Sequence, residues 1–181
     1  MSWPWPPPVD DGGAHHLIPG IALPDIALPA TTGEGISPAR IAGRAVLFCY
    51  PWTGRPGLSN PPDWDNIPGA HGSTPEVEGF RDLHTSFQKA DVAVFGLSMQ
   101  SPEDQQEFAQ RLQLPFAIFS DAGGAFQQAL ALPVFETGGV KYLNRLTLVL
   151  RDGAVERVFY PVHPPDRHAQ EVLAYVSSVS T

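Results

Sequence analysis

Residues 70–82 read AHGSTPEVEGFRD and place Ser73 where a loop gives way to a helical pattern. A helix N-terminus carries partial positive charge and unpaired N–H groups, so it is a good position for a nucleophile or a bound anion. A serine hydroxyl titrates too high for this field alone to produce an alkoxide, and it needs a neighbouring base. The Gly-x-Ser-x-Gly pattern of many serine nucleophiles is missing here. The segment indicates a reactive position that serine alone does not complete.

His71, two residues before Ser73, offers one such base and with it a serine hydrolase. That mechanism needs a third residue to orient the histidine and a nucleophile–base contact near ~3 Å. The sequence shows no Asp placed for this role, and a histidine on a surface loop is the more common case. Ser73 and Thr74 also fit a purely structural role, because both residue types are good helix N-caps. These interpretations stay open on the local sequence.

The elements around position 73 follow from the apolar pattern. Residues 44–51, RAVLFCYP, predict a buried parallel strand, since the apolar run is nearly continuous. Residues 52–72 predict a long irregular loop, and loops of this length inside a compact domain are usually functional. A helix is predicted over 75–89, capped by Ser73 or Thr74. In a parallel sheet, ligands gather where strand C-termini meet helix N-termini, which is where position 73 falls.

The rest of the chain predicts a regular alternation of strands and helices. The further elements are one or two short edge strands in 20–33, a strand over 91–99, a helix over 102–112, a strand in PFAIFSD, a helix in GAFQQALAL, a hairpin turning at Asp152-Gly153 and a helix in PDRHAQEVLAYVSSV. The order β-α-β-α-β-α-β-β-α is that of an α/β thioredoxin-like fold, with a central mixed sheet flanked by helices. We expect an extended N-terminal arm over 1–17, one domain over 18–181, and a long active-site loop insertion.

Composition narrows the class of protein. The chain has 181 residues and 43% hydrophobic content, enough for one packed domain. Its charge of −8 and the lack of a basic cluster argue against a nucleic-acid partner. No apolar run approaches membrane-spanning length, so no membrane partner is expected. The N-terminus lacks the layout of a secretory signal, and we expect a cytoplasmic location. The single cysteine, Cys49, excludes an internal disulfide and a multi-cysteine metal site; we expect no metal and no cofactor.

Two segments resemble a known family. GSTPEVEGFRD (72–82) is similar to the active-site segment of the peroxiredoxins, most closely the bacterioferritin-comigratory subgroup, which reads Gly-Cys-Thr-x-x-x-Cys-Gly-(Phe/Leu)-Arg-Asp or a near variant. The matching positions are Gly72, Thr74, Gly79, Phe80, Arg81 and Asp82. RLTLVLRDG (145–153) is similar to the Arg-x-Thr-Phe-x-Ile-Asp-x-(Asp/Glu)-Gly strand of the family. The likeness extends over residues 18–178.

The chain departs from this family at the nucleophile. Ser73 stands at the position of the peroxidatic cysteine, and Glu78 at the position of the resolving cysteine of two-cysteine members. The family's loop threonine falls on Ala70 and its loop proline on Asn66. Thr53 and Pro51, upstream in the loop, are therefore the candidates to fold back and replace them. Two origins are open for the serine: an engineered replacement in an active parent, and natural loss of the nucleophile.

The resemblance implies a thiol peroxidase in the parent protein. A thiolate at position 73 would reduce hydrogen peroxide or an organic hydroperoxide and become a sulfenic acid. Arg145 is the implied cation beside the sulfur, and Thr74 is a further catalytic candidate. Weaker candidates for substrate binding are Thr53, Gly72 and His71. With serine at position 73 we expect no turnover.

The same resemblance implies the partners of the parent. Without a resolving cysteine, the sulfenic acid must be reduced by an external thiol, either glutathione or a thioredoxin-like protein. A homodimer is expected by analogy with the family. The alternative function is a non-catalytic redoxin-like protein that lost its nucleophile and acts by binding partners. Cys49 lies in a predicted buried strand, where a free cysteine usually behaves as a small hydrophobic side chain.

Overall fold

A computed structural model describes residues 2–178, and its centre is a seven-stranded mixed sheet. The strands of the sheet are β1 (Leu28–Ala30), β2 (Gly33–Ile36), β3 (Arg44–Cys49), β4 (Val92–Ser98), β5 (Ile118–Ser120), β8 (Leu146–Arg151) and β9 (Ala154–Phe159). Their order across the sheet is β2-β1-β5-β4-β3-β8-β9. Strands β3, β4 and β5 run parallel, whereas β8 and β9 form an antiparallel hairpin beside β3.

Helices cover both faces of this sheet. They are α1 (Ser73–Asp82), α2 (His84–Lys89), α3 (Pro102–Leu112), α4 (Ala125–Leu130) and α5 (His168–Ser178). A separate hairpin of β6 (Val134–Thr137) and β7 (Val140–Leu143) was not predicted. The mixed sheet flanked by helices confirms the predicted thioredoxin-like fold class. None of the helices within residues 2–178 is both long and apolar enough to cross a membrane.

Strand β3 is buried on both of its faces. Val46 and Phe48 pack with the side chains of α1, α2, α3 and α5 on one face. Leu47 and Cys49 pack with α4 and with the residues before β1 on the other face. The sequence of β3 therefore lacks the alternation of apolar and polar residues that a half-exposed strand has, because neither face of β3 meets water. The strand predicted over 44–51 is confirmed, and its carboxyl end directs the chain into the loop that precedes α1.

The helix predicted over 75–89 is wrong in two respects. The structure has two helices there, separated at Leu83, whose φ of −97° and ψ of 5° are not helical. Gly72, and not Ser73 or Thr74, is the N-cap of α1, with a φ of 112°. Glycine adopts this left-handed angle without steric cost, and the helix begins at Ser73, two residues earlier than predicted. Ser73 becomes the first helical residue, and its hydroxyl is free to serve another partner.

The segment that precedes the sheet does not stand away from it. Residues 2–11 contain no helix or strand, and several of them contact the loop that leads into α1. Leu17 is buried in the core on the α4 side of the sheet. Edge strands were predicted in 20–33. β1 lies in that range but pairs with β2 and β5, so it is not an edge, and the edge strand β2 begins only at the last residue of the range. The predicted division into an arm, 1–17, and a domain, 18–181, stays a prediction; Met1 and residues 179–181 lie outside the described residues.

Candidate active site

Ser73 and Arg145 meet at the N-terminus of α1. Ser73 is 4% exposed, and its Oγ accepts a hydrogen bond of 3.1 Å from Nη1 of Arg145. Arg145 directly precedes β8, and the antiparallel register pairs Leu146 with Cys49 at the carboxyl end of β3. The guanidinium therefore arrives at the same end of the sheet as the helix N-terminus. The structure brings together the two groups on which the sequence interpretation depends.

Three backbone carbonyls hold the guanidinium in place. Nη2 of Arg145 donates to the carbonyl oxygens of Gly69, Ala70 and His71, at 3.3, 3.2 and 3.2 Å. The side chain is only 2% exposed. Within the described residues, its Nε has no hydrogen-bond partner. The loop before Ser73 thus wraps around the cation, which is fixed in direction and largely removed from water.

Glu76 is the third member of the site, and sequence analysis assigned it no role there. Its Oε1 accepts a 2.8 Å hydrogen bond from Nη1 of Arg145, the nitrogen that also contacts Ser73. Its Oε2 is buried without a partner among the described residues. Burial raises the pKa of Glu76 against the opposing positive charges of Arg145 and His168. The available signal was its spacing of three residues from Ser73, which places both on one helix face.

Two features of the helix start require glycine at position 72: its backbone angle and the lack of room for a side chain. Its φ of 112° lies in the region that disfavours side chains. A Cβ at this position would collide with the ring of Pro165 and lie 2.7 Å from Cζ2 of Trp3. The substrate-binding role of Gly72 stays a prediction. Its role in the structure is to let Trp3 and Pro165 pack closely on the residue before Ser73.

His71 has the orienting carboxylate that the sequence did not reveal. Nε2 of His71 lies 2.7 Å from Oδ1 of Asp65, and the imidazole stacks on Trp5 at a centroid distance of 3.7 Å. Within residues 2–178, no hydrogen bond joins the imidazole to the Ser73 hydroxyl, which pairs with Arg145 instead. The serine hydrolase interpretation therefore has a base, His71, and a carboxylate that orients it, Asp65. It lacks the contact between the base and the Ser73 hydroxyl.

The two threonine candidates lie apart from this contact network. The N–H and Oγ1 of Thr53 both donate to Oε1 of Gln100, at 3.0 and 3.3 Å, and its carbonyl accepts from the same amide. Thr53 is thus tied to the end of β4, and within the described part of the chain it makes no hydrogen bond to Ser73 or Arg145. Thr74 is half-buried, and no described side-chain hydrogen bond involves it. Their proposed catalytic and substrate roles stay predictions.

Comparison with known proteins places this arrangement in a family. A family model described as AhpC/TSA matches residues 68–157. The putative peroxiredoxin bcp of Coxiella burnetii is 30% identical over 158 residues, which are 85% of this chain and 95% of that protein. The chain belongs to the peroxiredoxin family. The chloroplastic peroxiredoxin Q of Populus jackii is 28% identical over 162 residues, covering 88% of this chain and 68% of the relative.

Solved peroxiredoxin structures share the fold. The crystal structure of peroxidoxin BcpB from Mycobacterium tuberculosis superimposes with a TM-score of 0.73 at 25% identity. The match covers 92% of this chain and 100% of that one. A cysteine-to-serine mutant of Xanthomonas campestris peroxiredoxin Q gives a TM-score of 0.69 at 24% identity, covering 88% and 97% of the two chains. This chain therefore has the peroxiredoxin fold over nearly its whole length.

The one cysteine of this peroxiredoxin lies in the central sheet and not at position 73. Cys49 lies in β3 and is 1% exposed. Burial raises the pKa of its thiol, and the negative charges of Glu76 and Asp121 raise it further. A thiol held in its protonated form is a poor nucleophile, so Cys49 packs as a small apolar side chain. Within residues 2–178, no group of three His, Cys, Asp or Glu side chains is placed to hold a metal ion.

Proposed function

We propose that the parent of this chain is a thiol peroxidase with a single peroxidatic cysteine at position 73. The observation that carries the proposal is the hydrogen bond from Nη1 of Arg145 to Oγ of Ser73 at the start of α1. A sulfur at this position would face a fixed, buried guanidinium and the N–H groups of the first helical turn. Both lower the free energy of a thiolate relative to the thiol. Serine offers no thiolate, and the chain with Ser73 is inert toward peroxide.

The reaction of the parent follows from these contacts. The thiolate sulfur attacks one oxygen of the hydroperoxide, the O–O bond breaks, and water or an alcohol leaves after taking up a proton. Arg145 holds the sulfur as thiolate and faces the charge that develops on the departing oxygen. An external thiol then attacks the sulfenic sulfur, expels water and forms a mixed disulfide, which a second thiol reduces. Hydroperoxides and a glutathione- or thioredoxin-type thiol are the proposed partners, and the homodimer stays a prediction.

Restoring the sulfur tests the proposal. Ser73→Cys should consume hydrogen peroxide in the presence of dithiothreitol, whereas the unchanged chain and Ser73→Ala should not. The variant is made with Cys49→Ala as well, so that only one thiol can turn over. The thiol at position 73 should become a sulfenic acid that dimedone traps and mass spectrometry locates. Absence of turnover in a folded Ser73→Cys protein would contradict the proposal.

A natural, non-catalytic role is the second candidate function. The observation in its favour is that Ser73 is fully accommodated: it is buried, and its hydroxyl is paired with Arg145. Such a protein would act through partner binding on the same fold. The mass of the protein expressed from its unmodified gene separates the two candidates. A cysteine at position 73 in that protein supports the peroxidase, and a serine supports the second role.

A further inference from the structure

Residues 3–11 lie across the loop that leads to Ser73. Trp3 packs on Gly72, since a Cβ there would lie 2.7 Å from Cζ2 of the indole. Trp5 stacks on His71 with ring centroids 3.7 Å apart and planes 9° from parallel. The Gly69 N–H donates to the carbonyl of Pro6 at 3.1 Å. These contacts cover each end of the tetrapeptide 69–72, and the carbonyl oxygens of its first three residues accept the hydrogen bonds of Arg145.

A second attachment holds the far end of the same segment. The hydroxyl of Tyr160 donates to Oδ1 of Asp11 at 2.8 Å and accepts from Nδ2 of Asn144 at 3.1 Å. The hydrogen bond from Tyr160 lowers the pKa of Asp11. Burial raises the pKa of Tyr160 to about 12, and the Asp11 carboxylate contributes to that rise. Residues 3–11 are thus fixed near both ends, yet they contain no helix or strand.

Beneath this segment lies a cleft of about 230 Å³. Pro8, Val9 and Asp11 of this segment line it, together with residues that include Gly69, Arg145 and Tyr160. A space of this size admits a small molecule such as a hydroperoxide and excludes a folded protein. The cleft reaches Arg145, whereas Ser73 itself is 4% exposed.

We propose that Trp3 and Trp5 are specificity-determining residues that set the size of molecule able to reach position 73. Small hydroperoxides and small thiols enter through the cleft beside Arg145. A protein thiol reaches position 73 only after the two indoles leave Gly72 and His71. Both indoles are half-buried and belong to a segment without backbone ladders, so their release requires only local opening. We call Trp3 and Trp5 the gate. Its effect on catalysis rests on the proposed function, whereas its control of access to position 73 does not.

The gate is tested by the chemical access of a thiol at position 73. Ser73→Cys in a Cys49→Ala background is alkylated in parallel with iodoacetamide and with a maleimide joined to a protein-sized polyethylene glycol. Adding Trp3→Ala and Trp5→Ala should raise the rate with the large reagent by about tenfold or more, and the rate with iodoacetamide by less than about threefold. Unchanged rates with the large reagent, or equal gains with both reagents, would overturn the proposal.

Two matched variants separate the gate from general loosening. Pro4→Ala changes an exposed residue between the two tryptophans and should leave both rates at the level of the parent. Trp5→Phe keeps an aromatic ring on His71, so this variant should react with the large reagent more slowly than Trp5→Ala does. If Pro4→Ala accelerates the large reagent as much as the tryptophan variants, chain flexibility and not the indoles controls access, and the proposal fails.

Turnover distinguishes this inference from the proposed function. With Ser73→Cys, loss of both tryptophans should speed turnover with a thioredoxin-type protein far more than turnover with dithiothreitol. If the Ser73→Cys protein consumes no peroxide at all, the proposed function fails, and the alkylation rates still decide whether the gate exists.

Discussion

Two buried arginine–glutamate pairs lie at opposite ends of β3. Arg44 opens the strand and pairs with Glu156 of β9 at 2.6 Å. Arg145 lies beyond its carboxyl end and pairs with Glu76 of α1 at 2.8 Å. The two arginine side chains are 3% and 2% exposed, so both cations are almost wholly removed from water. By type, distance and burial of the arginine, the pairs look alike.

The partners of the two carboxylates differ. Glu156 accepts from two nitrogens of Arg44, from Arg151 at 3.1 Å and from the hydroxyl of Tyr175 at 2.9 Å. Burial acts to raise the pKa of Glu156, but these donors and the arginine charges outweigh it and lower the pKa. Glu76 has one bonded oxygen, and burial raises its pKa. One pair is complete, and the other is not.

We propose that this difference separates a structural pair from a functional one. A complete buried network fixes a unique packing and has no capacity left for another ligand. At the other end, Nη1 of Arg145 is divided between Glu76 and position 73. A thiolate at position 73 would compete with Glu76 for that nitrogen. An unsatisfied buried group is costly in a folded protein, and its persistence beside position 73 agrees with a site shaped for chemistry.

The largest expected effect comes from removing each cation. Arg145→Met leaves Glu76 buried with no hydrogen bond to either carboxylate oxygen, and it removes the donor that the three loop carbonyls share. The variant should lose about 3–5 kcal/mol of unfolding free energy. Arg44→Met should cost less, about 1–3 kcal/mol, because Glu156 is 16% exposed and keeps Arg151 and Tyr175. Urea unfolding followed by far-ultraviolet circular dichroism measures both.

Equal losses for the two arginine variants would show that the pairs do the same work. A control at the active-site end is Glu76→Met with Arg145→Met, which removes both charges. Because neither charge then remains buried alone, this double variant should recover part of the stability that Arg145→Met loses.

A smaller loss of stability is expected from alanine at two glycines: Gly72, which precedes Ser73, and Gly43, which precedes Arg44. Gly72→Ala meets a φ of 112° and the rings of Trp3 and Pro165, and should cost about 2–4 kcal/mol. Gly43→Ala, next to Arg44, meets a φ of 75° but nothing within 4 Å, and should cost about 1 kcal/mol. Urea unfolding gives the costs, and the tryptophan emission of the folded proteins should change for Gly72→Ala alone. A cost for Gly43→Ala as large as that for Gly72→Ala would contradict the close packing at the active-site end.

Local signals in the sequence were sufficient for much of the fold. The helix predicted over 102–112 is α3, and it starts as Ser101 followed by Pro102 leads one to expect: the Oγ of Ser101 accepts from the N–H of Asp104 at 3.1 Å. The turn at Asp152-Gly153 was predicted from residue types that tolerate a positive φ, and both residues adopt one. The β6–β7 hairpin has the same kind of turn signal, Gly138-Gly139, but its strands show no apolar alternation, and it was not predicted.

The site was only half predictable, because its other half depends on long-range contacts. Ser73 and Arg145 follow from the family pattern. Glu76 in the first turn of a helix looks like an ordinary complement to the helix dipole, and only the cation 69 residues away shows otherwise. Asp65 pairs with His71 across a loop without periodicity. The segment rich in tryptophan and proline gives no sign in the sequence of the surface that it covers.

The smallest expected effect is a pair of opposite pH dependences. The pKa of Glu76 is raised above its ordinary value of 4.5, so the folded chain binds this proton more tightly than the unfolded chain. The stability that Glu76 contributes is complete below that value and is lost as pH rises through the raised pKa. The pKa of Glu156 is lowered, so its contribution is present above 4.5 and is lost as pH falls below it.

Unfolding free energies of the unchanged chain, Glu76→Gln and Glu156→Gln between about pH 3 and 8 measure both slopes. The advantage of the unchanged chain over Glu76→Gln should shrink with rising pH, and its advantage over Glu156→Gln should grow, each by on the order of 1 kcal/mol. If both advantages grew together, Glu76 would be a structural carboxylate like Glu156, and the distinction between the two ends of β3 would be lost.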